Sequence, residues 1–137
     1  MYAIHGDPGR VRIAAPRPRA FVDGLWRTTC FEAFVAAGEG GGYDEFNLSP
    51  SGEFAAYRFT AYRAGMTRLT ADLSLAWSMA RLEATVPLRE DARRLALSAV
   101  IEEVDGALSY WALRHAPGKP DFHHRDTFAL SVDEIRN

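Results

Sequence analysis

Trp26 and Glu32 lie six positions apart, an even spacing that keeps two side chains on one face of a regular strand. An indole beside a carboxylate suits a sugar: the ring face covers the apolar C–H side of a pyranose, while the carboxylate accepts from hydroxyls. Arg58 adds a guanidinium that would hold the carboxylate and donate to ring or hydroxyl oxygens. Trp111 offers a second indole and Asn47 an amide. If the strands carrying them are neighbours, one face gathers Glu32, Asn47, Arg58 and Trp111, with Trp26 at its margin. The same residue types also have a plainer use. Tryptophans in sandwiches fill cores, and Glu–Arg pairs on a sheet face make cross-strand ion pairs.

Other chemistry fits these residues less well. His115, Asp121, His123, His124 and Asp126 gather near the C-terminus, but zinc needs three or four converging ligands. His123 and His124 are adjacent, so on an extended chain they point apart, and no His-x-x-x-His or paired-cysteine spacing supports them. They read as structural or hydrogen-bonding histidines, and no metal is expected. Ser49-Pro50-Ser51-Gly52 is not a nucleophile elbow, and Gly38 to Gly42 lacks the Lys-Ser/Thr that follows a phosphate-binding loop. Both read as turns. Glu32, Glu102 and Glu103 do not suit a glycosidase pair, because Glu102 and Glu103 are neighbours on opposite faces beside a tight hairpin. The expectation is a chain that is not an enzyme and needs no cofactor. Cys30, the one cysteine, excludes an internal disulfide and, among apolar and aromatic neighbours, reads as a buried, inert thiol.

The elements that must position these groups are strands. Turn residues recur at Gly6-Asp7-Pro8-Gly9, Pro16 to Pro18, Gly38 to Gly42, Ser49 to Gly52, Gly65, Asp105-Gly106 and Pro117 to Pro120. Between them lie short runs rich in β-branched, aromatic and aliphatic residues. On the run 28–36, Phe31, Ala33 and Val35 face one way and Cys30, Glu32 and Phe34 the other. On 43–48, Phe46 and Leu48 are core, so Tyr43, Glu45 and Asn47 look outward. On 54–62, Arg58 opposes Tyr57 and Phe59, and Trp111 shares its face with Ser109 and His115. Leu73, Leu75 and Trp77 alternate with polar or small residues, as do Leu82, Ala84 and Val86, whereas 95–101 is apolar on both parities and belongs mid-sheet. Asp105-Gly106 predicts a two-residue type I′ hairpin, and Ser49 to Gly52 a second turn. The charged segment 88–95 fits a helical turn, and Ser131 to Ile135 opens like a capping box.

The composition agrees with one ordinary folded domain. The 137 residues can bury a single core, and 47% apolar with 25% charged residues excludes disorder. The net charge is −2, Lys119 is the only lysine, and the arginines are scattered among acids rather than striped, so no nucleic-acid partner is expected. No run approaches the ~20 apolar residues of a membrane span, and the N-terminus lacks the basic and apolar regions of a signal peptide. The chain therefore reads as cytoplasmic, with no membrane partner. The fold class expected is all-β: an antiparallel, jelly-roll-like β-sandwich of two packed sheets.

The stretch Asp23-Gly24-Leu25-Trp26-Arg27-Thr28-Thr29-Cys30-Phe31-Glu32-Ala33-Phe34 resembles the DOMON-like domains related to type 9 carbohydrate-binding modules. So does Tyr43-Asp44-Glu45-Phe46-Asn47-Leu48-Ser49-Pro50-Ser51-Gly52-Glu53, running into Phe54-Ala55-Ala56-Tyr57-Arg58-Phe59 and then Tyr62-Arg63-Ala64-Gly65-Met66. Residues 97–103, 109–113 and 120–124 resemble its bacterial branch, a domain of undefined role, and the matching blocks span about residues 23 to 130. The resemblance implies one β-sandwich domain over 1–137 with a ligand site on a concave face, and relatives bind sugars or haem. Its sugar-binding modules clamp a terminal sugar between two tryptophans, with acidic, arginine and amide groups around it. Trp26 and Glu32 fall at a matching spacing, while Trp111, Arg58 and Asn47 are the candidates for the second tryptophan, the arginine and the amide.

The resemblance implies two further properties. For haem, Met66, Met79 and His115 are the available axial ligands, but no spacing selects a pair and no covalent haem motif is present. Relatives carry more strand-forming sequence before the point matching Tyr2, and a missing first strand would leave an open sheet edge that invites a homodimer. The expected function is a non-catalytic module binding a carbohydrate or similar polyhydroxylated ligand through Trp26, Glu32, Asn47, Arg58 and Trp111. A structural or protein-interaction domain without a small ligand, and a haem-binding DOMON domain, are the alternatives.

Overall fold

The computed structural model describes residues 1–38 and 40–136. Glu39, inside the expected turn of Gly38 to Gly42, and Asn137 lie outside the described residues. Among the described residues ten strands form two packed antiparallel sheets. The smaller holds β1 (Tyr2–Ala3), β7 (Arg81–Thr85) and β6 (Ser74–Ser78), in that order. The larger runs β10 (Leu130–Ser131), β8 (Ala92–Glu102), β2 (Cys30–Ala37), β3 (Tyr43–Leu48), β4 (Phe54–Phe59) and β5 (Thr67–Arg68). A seventh strand, β9 (Leu108–Ala112), shares the outer edge of β8 with β10, pairing with its C-terminal half while β10 pairs with Leu95 and Arg94. The all-β sandwich expected from the alternation is the architecture found.

Alternation sorts the side chains of the large sheet into two different environments. Phe31, Ala33 and Val35 of β2, Phe46 and Leu48 of β3, and Ala99 of β8 face the small sheet, where they pack with Leu73, Leu75, Trp77 and Leu82. Phe31 stacks on Trp77 with ring centroids 5.9 Å apart. The opposite parity carries Cys30 and Phe34, Tyr43, Tyr57 and Phe59, and Ala96 and Val100, which meet Leu25, Phe122 and Phe128 from the connecting segments. Every residue of β3 is consequently buried. This corrects the expectation that Tyr43, Glu45 and Asn47 look outward: the segments before β2 and after β9 fold back over that face. Cys30 is fully buried and burial pushes its thiol pKa up, as its surroundings in the sequence suggested.

The turns show where local sequence was decisive. Gly106 donates to Glu103 O and Glu103 N–H to Ala107 O, and Gly106 alone takes a positive φ, of 92°. The loop is thus three residues, 104–106, a type I turn closed by a left-handed glycine, and not the two-residue type I′ expected. The type I′ form would need Asp105 left-handed as well. Ser49 to Gly52 builds the same device, with Gly52 at φ 97° donating to Ser49 O. Within 88–95 no helix forms: a single turn, closed by Ala92 N–H on Arg89 O at 3.1 Å, leads directly into β8. At the C-terminus the capping box forms and opens α1 (Val132–Arg136). Ser131 Oγ accepts from Asp133 N and Glu134 Oε2 from Ser131 N.

Candidate functional site

The loop-covered face of the large sheet is hollow. A concavity of about 980 Å³ opens there, floored by strands β2, β3 and β4 and walled by the segments that cross them. The floor follows from register. Glu32 pairs with Asn47 on one side and Ser98 on the other, which sets an acid, an amide and a hydroxyl in one row across three strands. Two residues along β3, Glu45 lies opposite Phe34 and Tyr57 in the next row. Both acids are nearly buried, at 4% and 6% exposed. Asn47 is 0% exposed; its amide is set against the Glu45 carboxyl, whose pKa it holds down as a hydrogen-bond donor, and its polar atoms make no other hydrogen bond. The Ser98 hydroxyl is unpaired. Buried amides are normally fully satisfied, so one with unused capacity at the floor of a hollow is a candidate recognition group.

The walls are aromatic. Tyr57 and Phe59 rise from β4, Tyr110 from β9, Phe122 from the segment after β9, and Trp26 from the short turn before β2. Each strand residue reaches the hollow because its parity matches the floor: Tyr110 pairs with Val100, and Tyr57 with Glu45. Charge sits at the mouth. Arg68 binds Asp23 at 2.6 Å, Arg63 binds Asp121 at 2.8 Å, and the Arg27 guanidinium lies 5.2 Å from the Trp26 ring centre. Tyr57 donates its hydroxyl to Asp23, fastening the wall to the rim.

His123 connects the hollow to the loops that roof it. The Tyr43 hydroxyl accepts from Arg63 N at 3.1 Å, so its proton is free for His123 Nδ1, 2.7 Å away. The other ring nitrogen, Nε2, lies 3.5 Å from Glu45 Oε1, so the imidazole links Tyr43 to the acid at the floor. Burial, with the nearby Arg63 charge, lowers the His123 pKa to about 4, so the ring is neutral at physiological pH. Burial raises the carboxyls in the opposite sense. Glu32 is pushed up to about 8, with the Glu45 charge adding to the effect, and Glu45 to about 7. The floor therefore carries two acids poised near neutrality beside a neutral imidazole and a buried amide.

Three of the five residues singled out from sequence meet here: Trp26, Glu32 and Asn47 all line the hollow. Comparison with protein-family models, with curated proteins and with solved structures returns no match. Arg58 and Trp111 fall on the other side of the sheet. Arg58 pairs across the strands with Asp44, one position off the Glu45–Tyr57 row, and holds that buried carboxylate through bonds of 2.7 and 2.9 Å. Trp111 pairs with Ala99, whose side chain belongs to the inter-sheet core, and its indole, 63% exposed, donates to Ser109 Oγ. In both cases a one-residue step in parity decided the face, and the neighbours Tyr57 and Tyr110 occupy the hollow instead.

Sequence reasoning did not single out Glu45, Tyr57, Tyr110 and His123 as site residues. Glu45 shares parity with Asn47, and that signal was present. His123 carries no such signal, because a loop delivers it. Its neighbour His124 caps a turn by accepting from Asp126 N, so the two histidines serve separate purposes, and no group of three or more metal-ligating side chains occurs among the described residues. Of the haem-ligand candidates, Met66 lines the hollow and His115 stacks on Phe122, while Met79 sits at the tip of the β6–β7 hairpin in the smaller sheet. Among the described residues no helix is long and apolar enough to cross a membrane.

Proposed function

We propose that this chain is a non-catalytic binding module, in the manner of the DOMON-like domains, that holds a carbohydrate or similar polyhydroxylated ligand on the concave face of its larger sheet. The observation that carries the reading is the Asn47 amide, fully buried and, apart from its approach to the Glu45 carboxyl, without a hydrogen-bond partner, beside Glu32 in a hollow walled by aromatic rings. A hydroxylated ligand offers what that floor lacks, donors and acceptors on one edge and apolar C–H faces for the rings. The hollow is also of the size small-molecule sites take, roughly 300–1,000 Å³. Within the reading, Glu32 and Asn47 bind hydroxyls and Trp26 covers a ring face at the mouth. The test is calorimetric titration of the purified protein with a panel of mono- and disaccharides. Saturable binding is expected, lost in Asn47→Ala and Trp26→Ala with circular dichroism unchanged. Binding that survives Asn47→Ala at full strength would sink the assignment.

A second reading, as an interaction domain that pairs with its own copy, draws on a different surface. The run Leu108-Ser109-Tyr110-Trp111-Ala112-Leu113 carries no charge or proline, the usual protections of a sheet edge, and Leu108, Trp111 and Leu113 are exposed. Antiparallel pairing of β9 with β9 of a second copy would bury them. Light scattering across a concentration series tests it, with Trp111→Lys expected to abolish any dimer.

A further inference from the structure

Among the described residues no lysine or arginine forms an ion pair with either acid at the floor of the hollow. Glu32 has no cationic partner, and Glu45 meets the Nε2 of a neutral imidazole and the Asn47 amide, with the Arg63 charge acting on it at longer range. Of the cations that line the hollow, Arg63 is paired with Asp121 and Arg68 with Asp23, Arg27 lies over the Trp26 ring, and Lys119 is exposed to solvent. Acids taken out of water without a counter-charge gain most from a positive group brought to them. The rings of Tyr57, Phe59 and Tyr110 around them present π faces, which also favour a cation. The Asn47 amide beside them, with hydrogen-bonding capacity unused, marks this floor as a place where something polar is to be held, and so does the buried, unpaired Ser98 hydroxyl next to Glu32.

We propose that the ligand carries a protonated amine, which the floor takes between the Glu32 and Glu45 carboxylates while Asn47 binds an adjacent hydroxyl. The inference rests on the polyhydroxylated-ligand reading and names its charge class: an amino sugar or kindred hydroxylated primary amine, in preference to a neutral sugar. Binding then needs ionised acids where the free protein holds protons near neutral pH, so complex formation releases protons to buffer. The other titratable groups facing the pair do not contribute. The Cys30 thiol and Tyr57 phenol are pushed up by burial and keep their protons, and His123 is already neutral. Asp23 and Asp121, hydrogen-bonded by Tyr57 and Tyr62 and paired with arginines, are held below the usual carboxylate range and stay ionised.

The experiment is isothermal titration of the intact protein with glucosamine, glucose and N-acetylglucosamine at pH 7, repeated in buffers of different ionisation enthalpy. Glucosamine is expected to bind at least about tenfold tighter than the two neutral sugars, the scale of one charge-assisted contact. A buffer-dependent heat should report net proton release. Glu45→Gln should erase most of the preference while glucose binding persists, whereas Glu32→Gln should weaken both sugars and narrow the gap between them; a cooperative melt of each variant guards against a folding defect. Equal binding of glucosamine and glucose, or no proton release, would overturn the amine assignment and leave the sugar reading standing. No binding by any of the three, with the fold intact, would overturn both.

Discussion

Glu32 and Glu45 tie folding to protonation. A carboxyl whose pKa rises from 4.5 to about 8 holds, in the folded protein, a proton that the unfolded chain has already released. Stability therefore falls as pH rises through that window, by up to roughly 1.4 kcal/mol per pH unit for each such group, and levels off above the folded pKa. Glu45 adds a smaller contribution ending near pH 7. His123 works in the opposite direction: its pKa is lowered from 6.5 to about 4, so stability is lost as pH falls between those values. Glu32→Gln should consequently be more stable than the parent at pH 8, with the gap closing towards pH 5, in urea melts run at each pH. Parallel curves for the two proteins would show that Glu32 is not perturbed. Asn47 makes the companion case. Replacing this buried, incompletely satisfied amide by Leu, of the same branched shape, removes a desolvation cost of about 1–3 kcal/mol. Asn47→Leu is expected to melt higher than the parent while losing saturable ligand binding, stability and recognition moving apart at one position.

Between residues and the molecule stand the hairpins, where the backbone demands more than the sequence advertises. Ser78 and Arg81 are paired across a two-residue loop whose members, Met79 and Ala80, both take positive φ, of 51° and 59°. That is the geometry a type I′ turn requires, filled here by residues that dislike it. Met79→Asn with Ala80→Gly should therefore stabilise the protein by about 1 kcal/mol, seen as a rise of a few degrees in thermal unfolding. Gly42 is the reverse: its φ is 74° and a Cβ there would sit 2.1 Å from Phe59 O, so Gly42→Ala should lower the melting temperature clearly. The same positions show what sequence can say about elements. Gly52 and Gly106 announced their turns because glycine is the residue for a left-handed position, although the count of loop residues at Gly106 depends on register with β9. Met79-Ala80 announced nothing, since the sheet imposes a conformation that these side chains do not encode. The strands themselves were legible from alternation, most completely at Tyr43–Leu48, where every bound agrees.

Across the whole molecule, the larger sheet has two buried faces of unlike character, one dry against the smaller sheet and one hollow beneath loops. Parity along each strand foretold two faces. It did not foretell that both would be covered, because the covering segments, 21–28 and 113–129, have no period of their own. Nor could it join Arg58 or Trp111 to the right face, since that needs the pairing of strands distant in sequence. The difference between the faces is measurable. Phe46→Ala, within the inter-sheet core, should cost about 3–5 kcal/mol. Tyr110→Ala, at the edge of the hollow, should cost far less and act on ligand affinity instead. The way the roof is fastened has a mechanical corollary. Segment 113–129 is joined to β8 at its start by five residue pairs of β9 and at its finish by two of β10, and its middle is tied to the opposite wall by Asp121 on Arg63 and His123 on Tyr43. Held at both ends and across the centre, it is a fixed strap, and a guest meets a hollow whose shape already exists before it arrives.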